Sequence, residues 1–330
     1  MSIVAALSPA ERSAFFPGAL DAELTALTGP DNTFNRTAPG ADWVAFLAVR
    51  RPQVVVSHWS TPPLPADAPD YLRYVAHVTG SVRNLLPRAF LERGVRVTNW
   101  GDGAAETVAE SALLLTLATL RETQHWGREL HERGGWRKGL GDGRTLFDRR
   151  VAVHGFGRIA RALLALLKPF RVSVLVYSEG VPPDFIRRHG AEPVESLAAL
   201  FGSRADVLVE LEALTPRTTG SVREEHLRAL PAGAVFVNCG RGAVVDEAAL
   251  GRVARDGHLR LGLDVFTAEP LPVDSPLRGP AHVTLTPHVS GPTPDRFPHC
   301  GRQVIENLRR WEAGEPLVSE LNLHAYDLST

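Results

Sequence analysis

The sequence predicts an α/β chain, with a doubly wound parallel sheet in its second half and a smaller α/β unit in its first. Three observations carry this expectation. From Arg150 onward, short apolar runs alternate with helical patterns, as strands joined by crossover helices do. A glycine turn, Gly155-Phe156-Gly157-Arg158-Ile159-Ala160, stands between the first such run and the helical pattern after it. Arg241, Asp264 and His288 fall at or just past the ends of predicted strands, where a parallel sheet gathers its ligand crevice.

The bulk numbers limit what the chain can be. Its 330 residues are enough for two domains, each with a core. A hydrophobic share of 44% and a charged share of 22% belong to a soluble globular protein. With 36 basic against 37 acidic side chains, there is no electrostatic reason to expect nucleic acid or a membrane surface as partner. The longest apolar run, Ala112–Leu115 with Leu117, Ala118 and Leu120, is far short of the roughly 20 residues of a span. No basic-then-apolar opening marks a signal peptide, and two cysteines, Cys239 and Cys300, fit a reducing compartment. A soluble cytoplasmic protein is expected. The twelve histidines are scattered and match no zinc spacing, so no metal is expected.

In the first hundred residues, Gln53–Ser57, Tyr74–Val78 and Val95–Thr98 read as buried strands, with a proline-rich loop over 60–70. Thr107–Arg121 follows as a helix apolar on most of its faces, as a helix buried between two domains would be. After a polar stretch, the glycine-rich segment 134–144 reads as the linker into the second domain. There, strands are predicted at 151–156 and 172–177. Further strands are predicted at Ala205–Val209, Ala234–Asn238, Leu261–Val265 and His282–Leu285. Asp295–Ala313 reads as a helix opened by Pro292 and Pro294 that crosses back to the first domain.

In the turn, Gly155 permits the tight bend, Gly157 lets the backbone approach a pyrophosphate, and Ala160 allows close helix–strand packing. This strand–turn–helix context predicts dinucleotide binding. The second strand should end in an acid for the ribose diol, and Ser178 and Glu179 occupy that place. Glu179 on the diol favours NAD. Ser178, with Arg187 or Arg188 as counter-charge, would instead admit the 2′-phosphate of NADP, so NAD is expected and NADP stays open.

Arg241, between Gly240 and Gly242, has the bidentate fork that suits a carboxylate and an adjacent keto oxygen. His288, after a proline and a predicted strand, is placed to exchange a proton with an alkoxide. Glu269 would stabilise the imidazolium. A surface salt bridge, a structural histidine and a solvated turn explain the three singly, but less well together.

These segments, VAVHGFGRIAR, VFVNCGRGAVVDEAAL, GLDVFTAEPLP and TPHVSG, are similar to the signature segments of the D-isomer-specific 2-hydroxyacid dehydrogenase family. The resemblance covers nearly the whole chain and is most specific from Arg150 to Gly291. It implies a Rossmann-type cofactor domain over 102–294 and a smaller, flavodoxin-like substrate domain built from both termini, 1–101 and 295–330. It implies catalytic roles for Arg241, Glu269 and His288. Cofactor contacts are expected from Gly155, Phe156, Gly157, Arg158, Ile159, Ser178, Glu179, Thr218, Cys239, Gly240, Arg241, Asp264, His288 and Gly291, with Asp264 at the nicotinamide. Thr79, Gly80 and Ser81 match the loop that binds the substrate carboxylate, together with Arg241 and His288. Cys239 is expected to line the cofactor cleft as a small residue and not as a nucleophile. A homodimer paired through the cofactor domain, helix 107–121 included, is implied as well.

The expected activity is reversible hydride transfer between a nicotinamide and a small D-2-hydroxy acid or 2-keto acid. The chain departs from the family pattern at Ser178, at Ala213 where a proline is usual, at Glu210 and Glu212, and at Thr79–Ser81 with Arg83 close by. A formate-type relative would carry glutamine in place of Glu269. The alternative of another class is a dinucleotide-sensing, corepressor-like protein with little turnover.

Overall fold

The structure is a computed structural model that describes residues 2–137 and 143–328. Part of the expected linker, 138–142, lies outside the described residues. The chain divides into two compact units, one of residues 1–104 and 292–330, the other of residues 105–291.

The first unit holds four parallel strands, β1 (Ile3–Ala6), β2 (Val54–Ser57), β3 (Tyr74–His77) and β4 (Arg96–Thr98), in that spatial order. A single bridge, Thr33 against Ala5, lies where a further strand would flank β1. Counting it gives the flavodoxin-like order 2-1-3-4-5. Every residue of β1, β2 and β3 is buried, and side chains alternate between two cores, as expected of a sheet covered on both faces. Val4, Val55, Val75 and Val97 pack with Trp43, Leu47 and Phe90. Ile3, Val54, Val56 and Tyr74 pack with Phe15, Leu24, Val304 and Leu308. The last two belong to helix Phe297–Ala313, so the C-terminal segment does complete the first unit's core.

The second unit holds seven parallel strands, β5 (Arg150–His154), β6 (Ser173–Tyr177), β7 (Glu192–Pro193), β8 (Val207–Glu210), β9 (Val235–Asn238), β10 (Arg260–Leu263) and β11 (Val283–Leu285). Their spatial order is β11-β10-β9-β8-β5-β6-β7, the Rossmann order with one extra strand. The order reverses between β5 and β8, so the carboxyl ends of these two strands flank the ligand crevice. Val151, Val153, Val207, Val209, Val235 and Val237 face one core, and Ala152, Leu208, Phe236 and Leu261 the other.

Helix Asp102–Leu120 starts five residues before the expected Thr107 and sends Ala109, Ala112, Leu115 and Leu120 into the second unit's core. Its stretch Gly103–Leu120 is long and apolar enough to cross a membrane by length and composition alone, yet half of it is buried in the protein. Strands β1 and β7 have no counterpart in the sequence expectations. β1 is a four-residue run, and β7 is two residues ending in a proline at the sheet edge, too short for any periodicity to show.

Candidate active site

Three loops at the carboxyl ends of β9, β10 and β11 bring Arg241, Glu269 and His288 together around a cavity of about 190 Å³. Arg241 follows β9 in extended conformation and opens a short 3-10 turn, Gly242–Val244. The turn needs glycine, because a Cβ on Gly242 would lie 2.0 Å from the carbonyl carbon of Phe266. That close approach ties the Arg241 loop to the loop carrying Glu269. Burial draws the pKa of Arg241 below its ordinary value, and the charge of Glu269 acts in the opposite direction. Its Nη1 donates to the carbonyl of Gly240 at 2.8 Å.

Glu269 accepts the N–H of Phe266 on Oε1 at 3.0 Å. Its Oε2 lies 2.6 Å from Nδ1 of His288. His288 has a left-handed backbone, φ +53, and its N–H donates to the carbonyl of Asp264 at 2.8 Å. Asp264, just past the end of β10, is fully buried. Its carboxylate accepts Thr286 Oγ1 at 2.6 Å, Val289 N–H at 2.9 Å and Ser290 N–H at 3.0 Å. The buried carboxylate thus clamps both sides of the His288 loop. Sequence reasoning assigned Asp264 to the nicotinamide and missed this clamp. It also missed Gln124, whose Oε1 accepts the N–H of Leu285 at 2.8 Å and which lines a second cavity of about 520 Å³ bordered by Glu269 and His288.

The glycine turn fits a dinucleotide. Gly155 has φ +90, and a Cβ there would lie 2.6 Å from the backbone nitrogen of Glu212. Gly157 begins helix Arg158–Leu167 with no side-chain cap, and a Cβ on it would meet nothing within 4 Å. Its amide end is therefore open to a diphosphate at the switch point of the sheet. Arg158 opens the helix, Ile159 is half-buried beside the core, and the ring of Phe156 is buried against Phe185 and His189. Cys239 and Gly240 follow β9. Burial pushes the Cys239 thiol up to about 12, so it is no thiolate nucleophile. Thr218 closes a turn by donating to the carbonyl of Ala213 at 2.6 Å.

Ser178 and Glu179 diverge. Ser178 donates to Glu212 Oε2 at 3.1 Å, whereas Glu179 is half-exposed and paired with Arg217. Thr79, Gly80 and Ser81 belong to the first unit, after β3. Thr79 is buried with Oγ1 2.7 Å from Nε2 of His77, and Gly80 accepts Asn99 Nδ2 at 2.9 Å. Gly291 is the last residue of the second unit. Among the described residues there is no cluster of three or more metal-ligating side chains.

The fold and this site together define a dinucleotide-binding α/β protein with a guanidinium, a carboxylate and an imidazole converging at its strand ends. The NAD-binding domain profile of the D-isomer specific 2-hydroxyacid dehydrogenases matches residues 113–290. The chain belongs to that family. The D-3-phosphoglycerate dehydrogenase of Mycobacterium tuberculosis is 34% identical over 253 residues, 76% of this chain and 47% of that protein. The chain thus spans about half the length of that relative. The glyoxylate reductase of Korarchaeum cryptofilum is 31% identical over 255 residues, 76% of each protein. A solved D-isomer specific 2-hydroxyacid dehydrogenase from Xanthobacter autotrophicus Py2, in complex with NADPH and MES, has TM-score 0.72 at 27% identity, with 98% of both chains covered. The cofactor of the second unit is NAD(P).

Proposed function

We propose that the protein is an NAD(P)-dependent 2-hydroxyacid oxidoreductase that interconverts a small 2-keto acid and its D-2-hydroxy acid. The observation that carries this reading is the convergence of Arg241, Glu269 and His288 on one cavity, with the Glu269–His288 contact at 2.6 Å. When bound, the nicotinamide supplies or takes the hydride at C2 of the substrate. Arg241 grips the carboxylate and polarises the keto oxygen, with a charge kept partly out of water and therefore strong. His288 presents Nδ1 to Glu269, which leaves Nε2 for the substrate oxygen. In reduction it donates the proton to the nascent alkoxide; in oxidation it removes the hydroxyl proton. Glu269 holds the ring in place and balances its charge as it becomes imidazolium.

Dimerisation through the second unit belongs to the same reading. Apolar side chains at its surface support it: Leu114 is 61%, Leu130 48% and Trp136 79% exposed. A monomer by sedimentation equilibrium would refute this part.

A spectrophotometric screen tests the activity, with NADH and NADPH against 2-keto acids of graded size. The expected result is oxidation of reduced cofactor with at least one keto acid, abolished in Arg241→Ala. Binding of NADH with no turnover across the panel would overturn the reading in favour of a dinucleotide sensor.

A further inference from the structure

The ends of β5, β6 and β8 carry a set of side chains that the proposed reaction does not use. His154 closes β5 and Glu210 closes β8; the two are register partners across the sheet. Both side chains are buried, 3% and 0% exposed, with His154 Nδ1 2.6 Å from Glu210 Oε2. Tyr177, which closes β6, stacks on His154 with ring centroids 5.9 Å apart. The chain then turns, and the N–H of Glu212 donates to Glu210 Oε1 at 2.8 Å. The Glu212 carboxylate accepts the N–H of Ala213 on Oε1 at 2.9 Å and Ser178 Oγ on Oε2 at 3.1 Å. Its Oε2 also lies 3.9 Å from Nε2 of His154, and the side chain is 15% exposed.

This carboxylate therefore stands beside the glycine turn and at the end of the second strand of the Rossmann sheet. In such a sheet that corner receives the ribose diol of a dinucleotide. The strand's own residue there is Ser178, which brings no charge. Glu179, next in the chain, is half-exposed and engaged with Arg217. The arginines on the nearby helix Pro183–Arg188 are also engaged: Arg187 with Asp184 at 3.0 Å and Glu192 at 3.7 Å, and Arg188 over the ring of Phe185.

We propose that Glu212, reached from β8 and oriented by Ser178 and by the buried His154–Glu210 pair, is the carboxylate that receives the ribose diol and selects NADH over NADPH. The proposal deepens the function proposed above and rests only on its dinucleotide-binding part. Glu210 is engaged by His154 Nδ1 at hydrogen-bonding distance, 2.6 Å, whereas Glu212 is farther from that ring and keeps acceptor capacity for two hydroxyls. A 2′-phosphate in the same place would bring about two negative charges against a mostly buried carboxylate. His154 and Glu210 act as positioning residues for this selection.

The test is direct binding without substrate: dissociation constants of NADH and NADPH by fluorescence titration of the whole chain. The wild type should bind NADH about tenfold to a hundredfold more tightly than NADPH, the range of a charge-assisted hydrogen-bond pair. Glu212→Gln preserves shape and removes the charge, and should bring the two constants to within about threefold of each other. Ser178→Ala should reduce the ratio less, because only the orienting hydroxyl is lost. Glu179→Gln should leave it unchanged. Equal affinity or NADPH preference in the wild type would overturn the proposal. So would a Glu212→Gln protein that weakens both dinucleotides equally, or a collapse of the ratio in Glu179→Gln. Discrimination in binding with no turnover on any keto acid would refute the catalytic reading and leave this one standing, whereas failure to bind either dinucleotide would overturn both.

Discussion

Glu269 and His288 lie 19 residues apart in the chain, yet their side chains meet at 2.6 Å across the loops that follow two neighbouring strands, β10 and β11. The contact exists because the parallel register of those strands ends both on the same edge, Leu263 beside Leu285. Beyond that edge the buried carboxylate of Asp264 folds the second loop back with three hydrogen bonds. The imidazole is therefore aimed by a chain of contacts, from Asp264 to the loop backbone and from Glu269 to the ring.

His288→Ala should lower kcat by about 10²–10⁴-fold, the usual worth of a positioned general acid–base group. Glu269→Gln keeps an oxygen near Nδ1 without its charge and should cost less. Steady-state rates on the best keto acid check both, and undiminished turnover in His288→Ala would remove the histidine from the mechanism.

Asp264→Asn turns an amide group against the donors that the carboxylate now accepts, at a cost of about 1–3 kcal/mol in urea unfolding. If Asp264 acts through the His288 loop, kcat should fall while the NADH dissociation constant stays near that of the wild type. A large rise in that constant would instead favour the nicotinamide contact expected from the sequence.

Gly242→Ala places a carbon 2.0 Å from the Phe266 backbone, where no side chain can yield. The Arg241 and Glu269 loops must separate, with a loss of about 1–3 kcal/mol or more in stability. Activity should fall with it, and a stable, fully active Gly242→Ala protein would show that the two loops need not be in contact.

The His154–Glu210 pair should make stability depend on pH. Burial works against the charged imidazole, but Glu210 and then Glu212 outweigh it, and the folded-state pKa of His154 is raised. A raised value stabilises the fold fully below the unfolded value of about 6.5 and loses that contribution as pH rises through the folded value. Tyr177 stacks on the ring, and the charge of His154 also acts on His226, whose own pKa is lowered, by burial first. The comparison must therefore be a difference. The gap in urea midpoint between wild type and His154→Gln should be wider at about pH 6 than at about pH 9. An equal gap at both would show that the pair carries no charge.

Much of this organisation is legible in the chain. The alternation from Arg150 onward announces a parallel sheet, and the turn at Gly155–Ala160 falls between β5 and the helix it opens. Arg241, Glu269 and His288 stand out because each follows an apolar run with glycine or proline beside it. Strand β1 and the lone bridge at Thr33 escaped because four residues and one residue show no period. The clamp by Asp264 escaped because its partners are backbone N–H groups, which no residue type announces.

The charges at the second site divide in the same way. VAVHG and VLVEL each place an ionisable residue at the end of an apolar strand, and that much is visible in the letters. Their pairing joins positions 56 apart, and it required β8 to lie next to β5, which is a fact of sheet order. The same holds for Ser178. Sequence proximity pointed to Glu179, but successive residues leaving a strand point to different sides, and Glu179 turns to Arg217. The carboxylate that meets Ser178 comes from 34 residues farther along, because three parallel strands end side by side at one corner of the sheet. The residues with chemistry to offer can be read from the order of amino acids, while their partners follow from the register and order of strands, which local sequence does not contain.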